Sequence, residues 1–176
     1  MKIGVISDTH ISPGFDVMNL LSGKSNNDPE YLHELVKPYF SDVKAIIHAG
    51  DITHMAVIES LSRLGEVFAV AGNMDPNNVY HSLGDRKIIE LNGFKIGIMH
   101  GWGSGEGLSL KIRQKFIADK VDCIIFGHSH NPYNKIEDNI LMFNPGSPTD
   151  KRFAKSRNIG ILHIEDKIWG EHICLD

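Results

Sequence analysis

Short runs of β-branched and aliphatic residues recur along this chain, each ending abruptly on glycine or a polar side chain. Lys2–Ser7, Lys44–His48, Glu66–Ala71 and Val121–Phe126 are too short for helices and apolar on consecutive positions, which predicts strands covered on both faces. Between them the period changes. Tyr31, Leu32, Leu35, Val36 and Tyr39 repeat with helical spacing behind Asp28 as N-cap and Pro29 at the first helical position, with Pro38 set to end the helix. Ala56, Val57, Ile58, Leu61 and Leu64 do the same between Thr53 as N-cap and Gly65, and Gly105–Ala118 carries a third amphipathic stretch through Leu108, Leu110, Ile112, Phe116 and Ile117. Strand, turn and helix therefore alternate, which predicts parallel strands joined by right-handed crossovers.

Hairpin signals interrupt and then replace this alternation. Asp85–Leu91 and Phe94–Met99 flank Asn92-Gly93, a strong type I′ turn signal. Tyr133–Glu137 and Ile140–Asn144 flank Asp138-Asn139, and Asn158–Ile164 and Lys167–Ile173 flank Glu165-Asp166, which predicts one antiparallel layer that completes a sandwich. Asn144-Pro145-Gly146-Ser147-Pro148 joins the two hairpins as a rigid turn. Ile11–Pro29, rich in Ser, Gly, Asn and Pro around an apolar patch at Phe15, Val17, Met18, Leu20 and Leu21, reads as a long loop of the kind that forms lids.

A length of 176 residues fits a single domain spanning 1–176 with a sizeable core. The net charge of −4, with Lys and Arg spread evenly, gives no basic stripe, so long nucleic acids are not expected as partners. Cys123 and Cys174 lack zinc-ribbon spacing and read as buried thiols rather than a disulfide, in a reducing compartment. The first apolar run is too short for a signal peptide core or a membrane span, so the expectation is a soluble, cytoplasmic protein with no membrane partner; a homo-oligomer is left open. Ten histidines are the one compositional oddity.

Most of the chemistry sits just past the predicted strands. Asp8 and His10 follow the first, Asp51 the second, Asn73 and Asp75 the third, His100 the hairpin strand, and His128 and His130 the strand ending at Phe126. In an open α/β sheet, ligands bind beyond the carboxyl ends of the strands. His48 lies on its strand and reads as a hydrogen-bonded core histidine, while Asp75 reads as orienting a neighbour or capping the following loop. Asp8, His10, Asp51, Asn73, His100, His128 and His130 supply oxygen and imidazole donors without thiolate, which suits divalent transition metals, manganese first and then Ni, Co, Fe or Zn. Seven ligands are too many for one catalytic ion that keeps an open position; two ions sharing a carboxylate fit better.

Asp8-Thr9-His10, Gly50-Asp51, Gly72-Asn73-Met74-Asp75, His100, Gly127-His128-Ser129-His130 and Asn144-Pro145-Gly146-Ser147 stand in the order found in calcineurin-like metallophosphoesterases. The chain resembles their small bacterial and archaeal phosphodiesterase group. That resemblance implies an α/β sandwich of two mixed β-sheets packed face to face and flanked by helices. It implies one metal on Asp8, His10, Asp51 and His130, a second on Asp51, Asn73, His100 and His128, and a catalytic centre built from Asp51, Asn73, Asp75 and His100. Hydrolysis of a small phosphodiester would follow, by in-line attack of a hydroxide bridging ions about 3.5–4 Å apart. Most family members carry histidine where this chain has Met74, which cannot transfer a proton, so diesters with good leaving groups are expected. Trp102 with Phe15–Leu21 reads either as an apolar wall that stacks on a base or aryl group or as a patch packed on the sandwich surface, Lys151 and Arg152 either as substrate contacts or as solvated charges, and Asn73 as a substrate contact. The same fold serves as a scaffold in the retromer complex, so a non-catalytic interaction module is the alternative; the filled ligand set separates the two.

Overall fold

The computed structural model describes residues 1–11, 28–150 and 152–176. The Phe15–Leu21 patch and Lys151 lie outside the described residues. In chain order the strands are β1 (Lys2–Ile6), β2 (Ala45–His48), β3 (Glu66–Ala69), β4 (Arg86–Leu91), β5 (Phe94–Met99), β6 (Cys123–Ile125), β7 (Tyr133–Glu137), β8 (Ile140–Asn144), β9 (Asn158–Ile164) and β10 (Ile168–Cys174). The described helices are α1 (Pro29–Phe40), α2 (Ala56–Ser62), α3 (Asn77–Leu83) and α4 (Leu108–Gln114), with a 3₁₀ turn at Ile117–Asp119.

Two five-stranded mixed sheets form, in the orders β10-β9-β1-β2-β3 and β4-β5-β6-β8-β7. In the first, β1, β2 and β3 are parallel and β9 returns antiparallel beside β1. In the second, β5, β6 and β8 are parallel, with β4 and β7 antiparallel at the edges. Ile3, Val5 and Ile47 from one sheet meet Ile96, Ile98, Ile125 and Phe143 from the other in a shared interior. The intervening positions face outward under helices: Ile6 and Ile46 pack with Leu32, Val36 and Leu61 of α1 and α2, and Ile124 packs with Leu108 and Ile112 of α4. Alternate positions thus feed two different cores, which is why the strands read as continuous apolar runs.

The late hairpins form as paired units but do not share a layer. β7 and β8 complete the second sheet, through β8 beside β6, whereas β9 and β10 complete the first, through β9 beside β1. A turn signal specifies which two strands pair with each other; it carries no information on which open sheet edge the pair joins.

Three helix boundaries also depart from the sequence pattern. α1 has Asp28 as N-cap, accepting from the Glu30 N–H, but runs past Pro38 to Phe40. Pro38 is exposed, as is Glu34 one turn earlier, so water can satisfy the carbonyl that the proline leaves free, while the Phe40 ring is fully buried against Gly4. Thr53 does not cap α2: it has φ +67°, and its hydroxyl lies 2.5 and 2.7 Å from the Ile11 and Ile52 carbonyl oxygens. α3 was not anticipated, because only Val79 of its seven residues is buried and no apolar period exists to reveal it.

The sheets are locked together where β8 crosses β9 and β10. The Phe143 ring lies where a Cβ on Gly160 or Gly170 would come within 2.4 or 2.6 Å of it, and it stacks on His172 at 4.7 Å. Phe143 is fully buried. Phe143→Ala should therefore cost about 3–5 kcal/mol of stability, and Gly160→Ala about 1–3 kcal/mol through overpacking, both read from urea unfolding midpoints at unchanged m-value.

Candidate metal centre

The parallel strands of both sheets release their chains toward one place. Beyond β1 and β2 the ladder continues irregularly, with the Asp8 N–H donating to the Gly50 carbonyl and the His10 N–H to the Asp51 carbonyl, both at 3.0 Å. Asp8 and Asp51 are consequently side by side and buried. The Gly127 N–H donates to the His100 carbonyl, joining the ends of β5 and β6 in the same way. The chain turns sharply at each of these points: Asp8, His10, Asp51, His128 and His130 all have φ between 46° and 73°. Asp and His are among the non-glycine residues that enter this region most readily.

Close approach explains the neighbouring glycines. A Cβ on Gly72 would lie 2.2 Å from Asp51 Oδ1, and one on Gly127 would lie 2.8 Å from Asp8 Oδ2 and 1.9 Å from Ser7 Oγ. Each carboxylate is held by backbone. Asp8 accepts the His128 N–H at 3.1 and 3.0 Å through its two oxygens, and Asp51 Oδ1 accepts the Met74 N–H at 2.8 Å.

The imidazoles surround these carboxylates. Asp51 Oδ2 lies 3.6 Å from His10 Nε2 and 3.2 Å from His100 Nε2; Asp8 Oδ1 lies 3.4 Å from His130 Nε2 and 3.7 Å from His100 Nε2. Potential ligand atoms of Asp8, His10 and His130, and of Asp8, Asp51 and His100, fall within 4.8 Å of one another. Asn73 and His128 stand at the outer rim with Asn73 Oδ1 3.0 Å from His128 Nδ1. Of the seven residues expected as ligands, Asp8, His10, Asp51, His100 and His130 converge, and Asn73 and His128 border them.

Their protonation shows what the cluster is built to hold. His100 Nδ1 lies 2.7 Å from the Ala49 carbonyl oxygen, which can only accept, so Nδ1 carries a proton and, whenever the ring is neutral, Nε2 presents a lone pair. That Nε2 is buried without a hydrogen-bond partner, facing two carboxylates. His130 repeats the arrangement: Nδ1 is 2.5 Å from Asp150 Oδ2, leaving Nε2 turned toward Asp8 and 3.1 Å from His10 Nε2. Lone pairs and carboxylates facing each other in a buried site repel unless a cation lies between them. A proton can meet part of the same demand, in competition with a metal ion. Burial opposes charge on His100, but Asp51 and Asp8 overcome it and shift its pKa upward. Burial likewise raises the Asp51 carboxyl, yet His100, the Met74 N–H and His10 outweigh it and hold it below its ordinary range. The donor set fits divalent transition metals.

Asp75 stands behind this cluster. Its oxygens accept the Thr53 N–H at 2.5 Å and the Gly72 N–H at 2.7 Å, tying the loop after β3 to the loop after β2, and burial raises its pKa. Arg152 borders the main cavity of about 660 Å³, together with Phe153, Met74 and the metal-competent His10, Asp51, His128 and His130. Its Nε lies 3.2 Å from Asp150 Oδ1, and its side chain is 78% exposed. Trp102 lies in an adjoining cavity.

Sequence reading missed Asp150 and the partners of His48. Asp150 is fixed by its N–H to Ser147 Oγ at 3.0 Å, and Ser147 Oγ also donates to the Asp8 carbonyl at 2.7 Å. The Asn-Pro-Gly-Ser turn thereby ties Asp8 to the acid that orients His130. No residue pattern announces an aspartate that works through another side chain. His48 is fully buried, with Nε2 3.1 Å from Thr9 Oγ1 and Nδ1 3.3 Å from the Gly50 N–H nitrogen.

With this geometry the class is defined: the chain belongs to the calcineurin-like phosphoesterase superfamily, whose domain profile matches residues 1–167. It is 38% identical over 172 residues to a probable metallophosphoesterase of Methanocaldococcus jannaschii, covering 96% of this chain and 78% of that one. It is 33% identical over 165 residues to a probable metallophosphoesterase of Methanothermobacter thermautotrophicus, covering 94% and 87%. Among solved structures, a novel archaeal phosphodiesterase superposes with a TM-score of 0.70 at 24% identity over 99% of both chains. Vps29 of Entamoeba histolytica complexed with zinc superposes with 0.65 at 23% identity over 100% of both. At such identities these two likenesses are of fold.

Asp150→Asn is expected to lower divalent-metal affinity by roughly 10–100-fold, the usual effect of removing the partner that orients a ligating histidine, measured by isothermal titration calorimetry. His48 generates a separate expectation. Burial, opposed in part by Asp8, pushes its pKa from 6.5 down to about 3, so the folded protein keeps the ring neutral. The full contribution is present above the unfolded value; as pH falls below it the unfolded chain binds a proton that the folded chain refuses, at up to about 1.4 kcal/mol per pH unit. His48→Gln should flatten the loss of stability between pH 6.5 and about 5, seen by comparing urea midpoints of the two proteins.

Proposed function

We propose that this protein is a metal-dependent phosphodiesterase that hydrolyses a small phosphodiester at a site holding two divalent ions. Asp8, His10, Asp51 and His130 would hold one ion, and Asp51, Asn73, His100 and His128 the other. The observation that carries this reading is Asp51 Oδ2, a single oxygen facing His10 Nε2 on one side and His100 Nε2 on the other. When bound, the ions would supply positive charge for the phosphate oxygens and acidify a water for attack.

The chain's own residues do the rest. The Met74 N–H, Asp75 and Gly72 fix the position of Asp51 and of the Asn73 loop. Asp150 and the Ala49 carbonyl hold His130 and His100 with their Nε2 lone pairs inward. Arg152, which borders the main cavity, would meet an anionic substrate. Met74, 60% exposed beside the cavity, offers no proton to a departing alkoxide, so the leaving group depends on its own acidity. Asp75 acts on the loop and does not border either cavity beside the cluster.

A scaffold reading has support in the likeness to Vps29, which is a likeness of fold. His100 Nε2, buried without a hydrogen-bond partner, supports metal binding, which both readings share, so hydrolysis separates them.

Metal-stripped protein, resupplied in turn with Mn²⁺, Ni²⁺, Co²⁺, Zn²⁺ or Mg²⁺, should hydrolyse an aryl phosphodiester in preference to its monoester. Asp51→Asn should lose more than the roughly 10–100-fold that an outer partner costs. Met74→His should raise turnover of esters with poor leaving groups, since a placed general acid contributes about 10²–10⁴-fold. Metal binding without hydrolysis under every metal would instead favour the scaffold.

A further inference from the structure

Beside the metal centre lies a second cavity of about 320 Å³, bordered by the Trp102 that the sequence reading sets beside the site. It shares Asn73 and His100 with the centre, and its remaining wall carries Trp102, Tyr80, Met99, Asp85 and Lys115. Two large aromatic rings exposed on one small cavity, Trp102 at 39% and Tyr80 at 43%, are out of keeping with a surface that merely closes the sandwich. Two other exposed rings have ring partners: Trp169 stacks on His163 at 3.8 Å, and Phe153 lies against His130. The recorded partner of the Trp102 ring is a cation, Lys115 Nζ, 5.5 Å from its centroid.

The position of Trp102 is built. Gly101 and Gly103 on either side have φ of +114° and +79°, a conformation that other residues rarely adopt. A Cβ on Gly101 would meet Leu108, Ile112 and His128 at 3.1 to 3.3 Å, so the loop is seated on α4. The Gly103 carbonyl oxygen lies 2.6 Å from His128 Nε2, which ties the tryptophan loop directly to an expected ligand. On the same cavity, Tyr80 stands close enough to Asp85 for that carboxylate to raise the pKa of its phenol. The wall therefore combines aromatic surface, a thioether, one cation and one carboxylate within a space opening beside Asn73 and His100.

We propose that this cavity is the subsite for a planar aromatic group, a nucleobase or an aryl ring, carried on the phosphate that the metal centre holds. Stacking on Trp102 and Tyr80 supplies the affinity, and the Asp85 carboxylate and Lys115 ammonium meet polar atoms on the ring edge. The assignment rests on the phosphodiesterase reading for the attached phosphate, and it places the aromatic substituent on the Asn73 and His100 side rather than toward Arg152.

The chain has two tryptophans, so Trp169→Phe leaves Trp102 as the sole indole reporter while keeping a ring on His163. Metal-loaded Trp169→Phe protein is titrated with adenosine and uridine 5′-monophosphates, phenyl phosphate, methyl phosphate and inorganic phosphate. Saturable quenching is expected with the aromatic esters, at affinities about tenfold or more above methyl phosphate, in line with one base–aromatic contact. Tyr80→Ala in the same background should weaken the aromatic esters by about tenfold and leave inorganic phosphate unchanged. Nucleotides binding more tightly than phenyl phosphate would identify a nucleobase, and equal binding an aryl ring of any kind. Equal affinity for methyl and aromatic esters, or no response of Trp102, would overturn the subsite. Because these are monoesters and no turnover is read, a selective response from a protein without diesterase activity would overturn the function while keeping the subsite, and diester turnover without selectivity would do the reverse.

Discussion

Two carboxylates and several imidazole lone pairs pointed at one another inside a protein constitute a demand for positive charge. Asp8 and Asp51 are buried side by side, and His100 Nε2 is buried opposite them with nothing to bond. Taken out of water without a counter-charge, such a set is costly enough to perturb either its protonation or the fold. The surrounding structure therefore works to keep these groups in place: N–H groups of Met74 and His128 on the carboxylates, Ala49 and Asp150 on the far sides of the rings. Each of these partners fixes a lone-pair direction as well as a position.

Convergence of this kind has a conformational cost. Asp8, His10, Asp51, Thr53, His128 and His130 occupy the left-handed region, where strain is on the order of 1–3 kcal/mol per residue outside glycine. The offset lies in the sheets beneath. Parallel strands β1, β2 and β3 and their counterparts β5, β6 and β8 are apolar on both faces, and the ends of their chains are bonded to each other before they diverge. Rigid strands stop where the turns begin, so the ligands are placed to within a hydrogen bond of one another without a long loop among them.

Family membership and geometry complement each other here. The profile match across residues 1–167 assigns phosphoester chemistry as a class, and the neighbours at low identity include both a phosphodiesterase and Vps29. What distinguishes the possibilities for this chain is local: the five metal-competent residues that converge with Asn73 and His128 at their rim, the exposed Met74 beside the main cavity, and the cavity bordered by Trp102 and Tyr80 on the Asn73 side.

The amino-acid sequence by itself determined the elements and the list of candidate ligands. Apolar runs ending on glycine mark strand ends, Asn92-Gly93 and Asp138-Asn139 mark hairpins, and residues just past a strand share one sheet edge; all of this is local information carried by period and turn chemistry. Local signals also misled, where an exposed Pro38 proved compatible with a helix held by Phe40 and where Thr53 turned away from α2. Only the tertiary structure decided that the two late hairpins join different sheets, that Asp150 orients His130, that Thr9 and Gly50 bind His48, and that Tyr80 and Trp102 border one cavity. Those facts depend on contacts such as that between His10 and His130, 120 residues apart. Such contacts arise when sheets twist and pack, and neither hydrophobic period nor turn residues encode which distant side chain will lie opposite.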